Sequence, residues 1–137
     1  VKEIFADTSG WMACADSGDP HHHAALQRRN EWLAGGGVLI ATDYIVDETL
    51  TLLRIRLGLP AAKKWWEAVS GSPRVTILTL TGDDLEEARR LFFKYRDKEF
   101  SFTDCTSFAL MKRRKIRTAL ATDRHFKQAG FSCLPEK

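Results

Sequence analysis

Four carboxylates stand where they could act on a metal ion and a phosphate. Asp7 follows the apolar segment Glu3-Ile4-Phe5-Ala6, and Asp123 follows the segment Thr118 to Thr122. Each falls at the carboxyl end of a predicted strand, just ahead of a helix; in an open α/β sheet those ends share one side, where ligands bind. Aspartate is also a favoured helix N-cap, so capping alone would account for either residue. Glu48 lies three residues after Ile45 and four before Leu52. That spacing predicts a place on the buried face of its helix, beside Thr49 and Leu53. A carboxylate there needs a partner, because desolvation is costly, and a core Arg or Lys would serve as well as a cation. Asp104 follows Ser101 at the spacing of a capping box. It also lines up with Phe108 and Met111, an inward-facing stripe whose mouth it would occupy.

Brought together, these four groups would raise one another's pKa and destabilise the fold unless a cation neutralised them. A ligand set of oxygens, without His or Cys, suits Mg²⁺ or Mn²⁺ better than zinc. A cation so held acidifies bound water and stabilises charge on a displaced phosphate oxygen. Phosphodiester hydrolysis is the chemistry such a constellation is suited to.

The elements that must position these residues alternate along the chain. Strands are predicted at 3–6, 38–41, 75–78, 118–122 and 131–134. Helices are predicted over about 9–15, 21–34, 43–57, from Pro60 to a stop at Gly71–Pro73, and over 83–95, 102–114 and 123–129. Short strands alternating with helices argue an α/β fold, a mainly parallel sheet of four or five strands covered on both faces.

A length of 137 residues predicts one domain spanning 1–137, large enough for a core without disulfide staples. The 44% apolar and 28% charged content excludes a disordered or collagen-like chain. Cys14, Cys105 and Cys133 are an odd count without metal-finger spacing, as expected of free thiols in a reducing compartment. No apolar run approaches a membrane span and no cleavable signal pattern opens the sequence, so a cytoplasmic location is expected. The net charge of +3 permits an anionic polymer as partner without requiring one.

The sequence resembles the PIN domains, in particular VapC-type toxin ribonucleases of toxin–antitoxin pairs. The resemblance rests on four segments: Phe5-Ala6-Asp7-Thr8-Ser9, Asp47-Glu48-Thr49-Leu50, Ser101-Phe102-Thr103-Asp104-Cys105-Thr106-Ser107-Phe108, and Ala121-Thr122-Asp123-Arg124-His125-Phe126. It implies a Rossmann-like α/β/α sandwich and a Mg²⁺- or Mn²⁺-dependent endoribonuclease. In such an enzyme Asp7, Glu48, Asp104 and Asp123 would be the acidic tetrad around the metal. Thr8 and Ser101 match hydroxyl positions that support the tetrad, although helix capping is equally compatible with both. The resemblance further implies an RNA substrate, a cognate antitoxin covering the site, and pairing into a homodimer.

Other residues attract attention for less. Lys112, Arg113, Arg114 and Lys115 form the densest positive run and are candidates for RNA binding, though cations also favour a helix C-terminus. The run lies a full helix away from Asp104. Consecutive His21, His22 and His23 point in different directions and cannot share one ion. His125 follows Asp123 closely and could contact substrate, but a lone histidine beside Phe126 is more simply read as packed or solvated. Trp65 and Trp66 could stack bases, but adjacent helical aromatics more often divide between core and surface. A phosphatase with an aspartyl nucleophile would want a carboxylate where Ser9 stands. A non-catalytic binding module on the same fold, working through the basic run, is the alternative; it would tolerate Asp104→Asn.

Overall fold

Ile4, Phe5 and Ala6 are all buried, and the sheet grows outward from the strand they form. In the structure, a computed structural model describing residues 2–136, five strands alternate with seven helices. The strands are β1 (Glu3–Ala6), β2 (Val38–Thr42), β3 (Val75–Leu78), β4 (Thr118–Leu120) and β5 (Ser132–Leu134). The helices are α1 (Thr8–Ala15), α2 (His22–Ala34), α3 (Asp43–Leu57), α4 (Leu59–Ser70), α5 (Gly82–Lys94), α6 (Phe102–Arg114) and α7 (His125–Gln128).

All neighbouring strands are parallel, in the order β3-β2-β1-β4-β5. The chain moves outward from β1 to β3, then returns to build β4 and β5 on the other side. The strand order therefore reverses between β1 and β4, and a crevice opens at their carboxyl ends. α1 packs on α2 and α3, and α3 on α4, while α5 packs on α6 and α6 on α7, the two groupings expected when right-handed crossovers cover opposite faces of such a sheet.

The aromatic core fixes the elements that border this crevice. Phe108 of α6 meets Phe126 of α7 edge to face with ring centroids 5.0 Å apart, and Phe126 stacks on Phe5 of β1. Such pairs add about 0.5–1.5 kcal/mol beyond their buried area. Asp104 stands one turn before Phe108, and His125 immediately precedes Phe126. The core that joins α6 to α7 thus also sets the distance between those polar groups.

Several predicted boundaries are corrected by one or two residues. β4 ends at Leu120, not Thr122, because the Thr122 N–H leaves the sheet for the Ser9 hydroxyl at 3.0 Å. The helix predicted from 123 begins at His125, because Asp123 Oδ1 accepts the His125 N–H in a tight turn. β5 starts at Ser132. Among the described residues, no helix is long and apolar enough to cross a membrane.

Candidate active site

Asp7 emerges from β1 directly into α1. Its N–H bonds the Leu120 carbonyl of β4 at 3.0 Å, so the first helix starts against the neighbouring strand. The Asp7 side chain caps α1: Oδ2 accepts the Ser9 N–H at 3.1 Å and the Ser9 hydroxyl at 2.7 Å. The same hydroxyl accepts the Thr122 N–H, which ties the chain leaving β4 to the start of α1.

Asp104 completes a capping box at the head of α6. Ser101 Oγ accepts the Asp104 N–H at 2.9 Å, and Asp104 Oδ2 accepts the Ser101 N–H at 3.0 Å. The same Oδ2 lies 2.8 Å from His125 Nδ1. Asp123, held through Oδ1 by the His125 N–H, stands beside them. Asp104, Asp123 and His125 can each offer one ligand atom with all three within 4.8 Å of one another.

α3 forms the opposite wall. Glu48, Leu52 and Arg56 succeed one another at four-residue intervals and line the cavity from one side of the helix. Glu48 is half-buried, which corrects its expected place on the buried face. Ile45, Thr49 and Leu53 are the fully buried stripe, and Glu48 sits at its edge where the helix passes the crevice. Thr49 donates to the Thr8 hydroxyl at 3.3 Å, joining α3 to α1 beneath the site.

A cavity of about 330 Å³ collects Asp7, Thr8, Ser101, Asp104, Asp123 and Glu48. All six residues expected at an acidic centre therefore share one space. Its electrostatics are strained in the expected sense. Burial first, then the nearby Asp123 and Asp104 carboxylates, push the Asp7 pKa up from 3.8 to about 8, against the opposing bonds from Ser9. Burial also raises Asp104, with Asp123 adding to it and the Ser101 and His125 bonds working against it.

The donor set fits a hard divalent cation. Each aspartate commits one oxygen to a hydrogen bond from the fold: Asp7 Oδ2, Asp104 Oδ2 and Asp123 Oδ1. Each leaves its second oxygen without a hydrogen-bond donor among the described residues. Three free carboxylate oxygens in one crevice, with Glu48 opposite, suit Mg²⁺ or Mn²⁺.

The basic run stands apart. Arg113 grips buried Asp84 with contacts of 2.7 and 3.1 Å, and Arg114 pairs with Glu3 at 2.8 Å. Lys112 and Lys115 remain exposed at the far end of α6, about 1.5 Å per residue along a 13-residue helix. Trp65 is buried and Trp66 exposed. Several residues given no site role from the sequence also line the cavity, among them Ser9, Asp19, Arg56 and His125. Arg56 was detectable, being two turns beyond Glu48 on the same face, and it is the one Lys or Arg side chain among the described lining residues.

Comparison with known proteins identifies a family and a fold. The family profile described as PIN domain matches residues 4–132. The 23S rRNA-specific endonuclease VapC20 of Mycobacterium tuberculosis is 36% identical over 128 residues, covering 93% of this chain and 95% of the relative. Ribonuclease VapC26 of the same organism is 27% identical over 124 residues, 90% and 89% of the two chains. The crystal structure of VapC20, described as a sarcin–ricin loop cleaving toxin, superposes with a TM-score of 0.84 at 35% identity, covering 93% of this chain and 95% of that one. FitAcB from Neisseria gonorrhoeae shares the fold at a TM-score of 0.68, 17% identity and 96% coverage of both chains.

Proposed function

The chain belongs to the PIN-domain family as an endoribonuclease of the VapC toxin kind, and from that premise we propose that RNA is hydrolysed in the cavity between β1, β4, α3 and α6. Asp7, Glu48, Asp104 and Asp123 would hold Mg²⁺ or Mn²⁺. The observation that carries this reading is the division of labour within each aspartate, one oxygen bonded to the fold and one left free. A cation bound there supplies acidified water and stabilises charge on the departing oxygen.

The chain's own residues do the rest. Ser9 and Ser101 fix the carboxylate rotamers of Asp7 and Asp104. Thr8, bonded to Thr49, keeps α1 and α3 at a constant separation, so that Glu48 faces the aspartates. Arg56 at the rim offers a guanidinium to a backbone phosphate of the RNA. An RNA loop is the substrate to try first, since a relative 36% identical over 128 residues is named a 23S rRNA-specific endonuclease.

The partners follow from the same surface. A cognate antitoxin would place an Arg or Lys among the four carboxylates, where a guanidinium can bind bidentately. Its apolar helix would lie in the groove lined by Leu50, Leu59 and Trp66 between α3 and α4, flanked by Arg54 and Lys63. Exposed Phe92 and Phe93 on α5 offer a face for a homodimer. We read residues 1–137 as one nuclease domain working in the cytoplasm.

The test is cleavage of a looped RNA by purified chain in Mg²⁺ or Mn²⁺. Cleavage that stops in EDTA and is absent from Asp7→Asn supports the reading. Equal cleavage in excess chelator contradicts it. A chain whose RNA binding survives Asp104→Asn but fails without Lys112 and Lys115, with no cleavage at all, is the non-catalytic binding module instead.

A further inference from the structure

We infer that His125 is a positioning residue that holds Asp104 and Asp123 together in the geometry a cation needs. The inference deepens the reading of these carboxylates as cation ligands and rests on it.

A capping box alone accounts for one of the two polar contacts to Asp104 Oδ2, the Ser101 N–H. The second, from His125 Nδ1 at 2.8 Å, comes from another helix 21 residues along the chain and has no part in capping. An ionised carboxylate has no proton to give, so in this contact Nδ1 is the donor and Asp104 Oδ2 the acceptor. Two donors on Oδ2 keep that oxygen occupied, so only Oδ1 is offered to the cavity. Mg²⁺ demands near-octahedral geometry, and a one-oxygen carboxylate meets that demand more readily than a chelating one.

His125 acts on the neighbouring carboxylate as well. Its backbone N–H bonds Asp123 Oδ1 at 3.0 Å, so one residue orients two carboxylates through different atoms. The imidazole is itself confined. Phe100 meets it edge to face with centroids 5.7 Å apart, and the adjoining Phe126 is fully buried. Groups that orient metal-binding side chains in this way typically contribute about 10–100-fold to metal affinity.

The experiment compares Mn²⁺ binding, measured by titration calorimetry, in the unaltered chain, His125→Phe, His125→Asn and His125→Ala, with thermal melts in chelator as a check on folding. Phenylalanine keeps the ring and removes the donor. Asparagine keeps a donor at the Nδ1 position and removes the ring. The expected result is a loss of Mn²⁺ affinity of about 10–100-fold in the Phe and Ala variants. The Asn variant should recover most of that loss, and excess Mn²⁺ should restore cleavage to the Phe variant. Should the Phe variant fail to fold, the Ala variant carries the same comparison. Affinity in the donor-less variants within about twofold of the unaltered chain would overturn the assignment to His125. So would an Asn variant as weak as the Phe variant, because ring packing would then be the cause. An unaltered chain that binds no Mn²⁺ would overturn both this inference and the metal reading beneath it.

Discussion

Gly10 lies so close to Leu120 that a Cβ added to it would stand 2.2 Å from the Leu120 carbonyl oxygen. The obstruction is backbone and cannot swing aside. This contact lets α1 begin against β4, with the Asp7 N–H bonded to the same carbonyl. Bare glycine is therefore what allows Asp7 and the loop carrying Asp123 to approach one another.

Gly10→Ala should push α1 away from β4, at a cost of roughly 1–3 kcal/mol as for other overpacked sites. Thermal melts and cleavage assays on one preparation check it. A variant as stable and as active as the unaltered chain would show that the helix can shift at little cost.

Much of the site was legible in the sequence because its carboxylates sit at strand ends or at helical spacing from apolar residues. Asp7 and Asp104 do cap their helices while lining the cavity; Asp123 lines it too but is no N-cap, since α7 is preceded by Arg124 and Asp123 makes a turn bond instead. Ser9 was not legible in the same way, because its role depends on a Thr122 N–H that lies 113 residues away. His125 owes its place to Asp104 on a different helix, and a lone histidine beside a phenylalanine carries no local sign of that. The Glu48 face was misjudged because its helix is buried on one side and borders the cavity on the next. In α6, every residue from Asp104 to Met111 is buried, so no single stripe existed to be found there.

Asp7 predicts how stability should depend on pH. Its pKa is about 8 in the fold against an ordinary 3.8, so between those values the folded chain binds more protons than the unfolded one. Unfolding free energy then falls as pH rises through this window, the reverse of a salt-bridged aspartate. In EDTA, Tm should drop from about pH 5 to about pH 8, and Asp7→Asn should flatten the curve. Mn²⁺ should restore Tm most at the alkaline end, where no proton has to be displaced. A chelated chain whose Tm holds level or climbs across that window would contradict the crowding of these carboxylates.

Arg56 and the basic run separate on RNA affinity. Arg56→Ala should raise KM for RNA and reduce the slope of log affinity against log salt by about 0.7, the value for one phosphate on a single strand. Arg113→Ala should leave that slope alone. It strands Asp84, 2% exposed, without its guanidinium, and should cost roughly 1–3 kcal/mol, tempered by the half-exposed arginine and the Thr81 bonds that remain. Salt-titrated RNA binding of the two variants decides the matter. An unchanged slope in Arg56→Ala would remove that residue from the RNA path.

The most direct measurement is anomalous scattering from crystals of the chain soaked in Mn²⁺. A peak bonded to the free oxygens, Asp7 Oδ1, Asp104 Oδ1 and Asp123 Oδ2, with Glu48 facing it, is the predicted result. No peak in that cavity at saturating Mn²⁺, or a peak only at a surface cluster such as His21 to His23, would contradict the account.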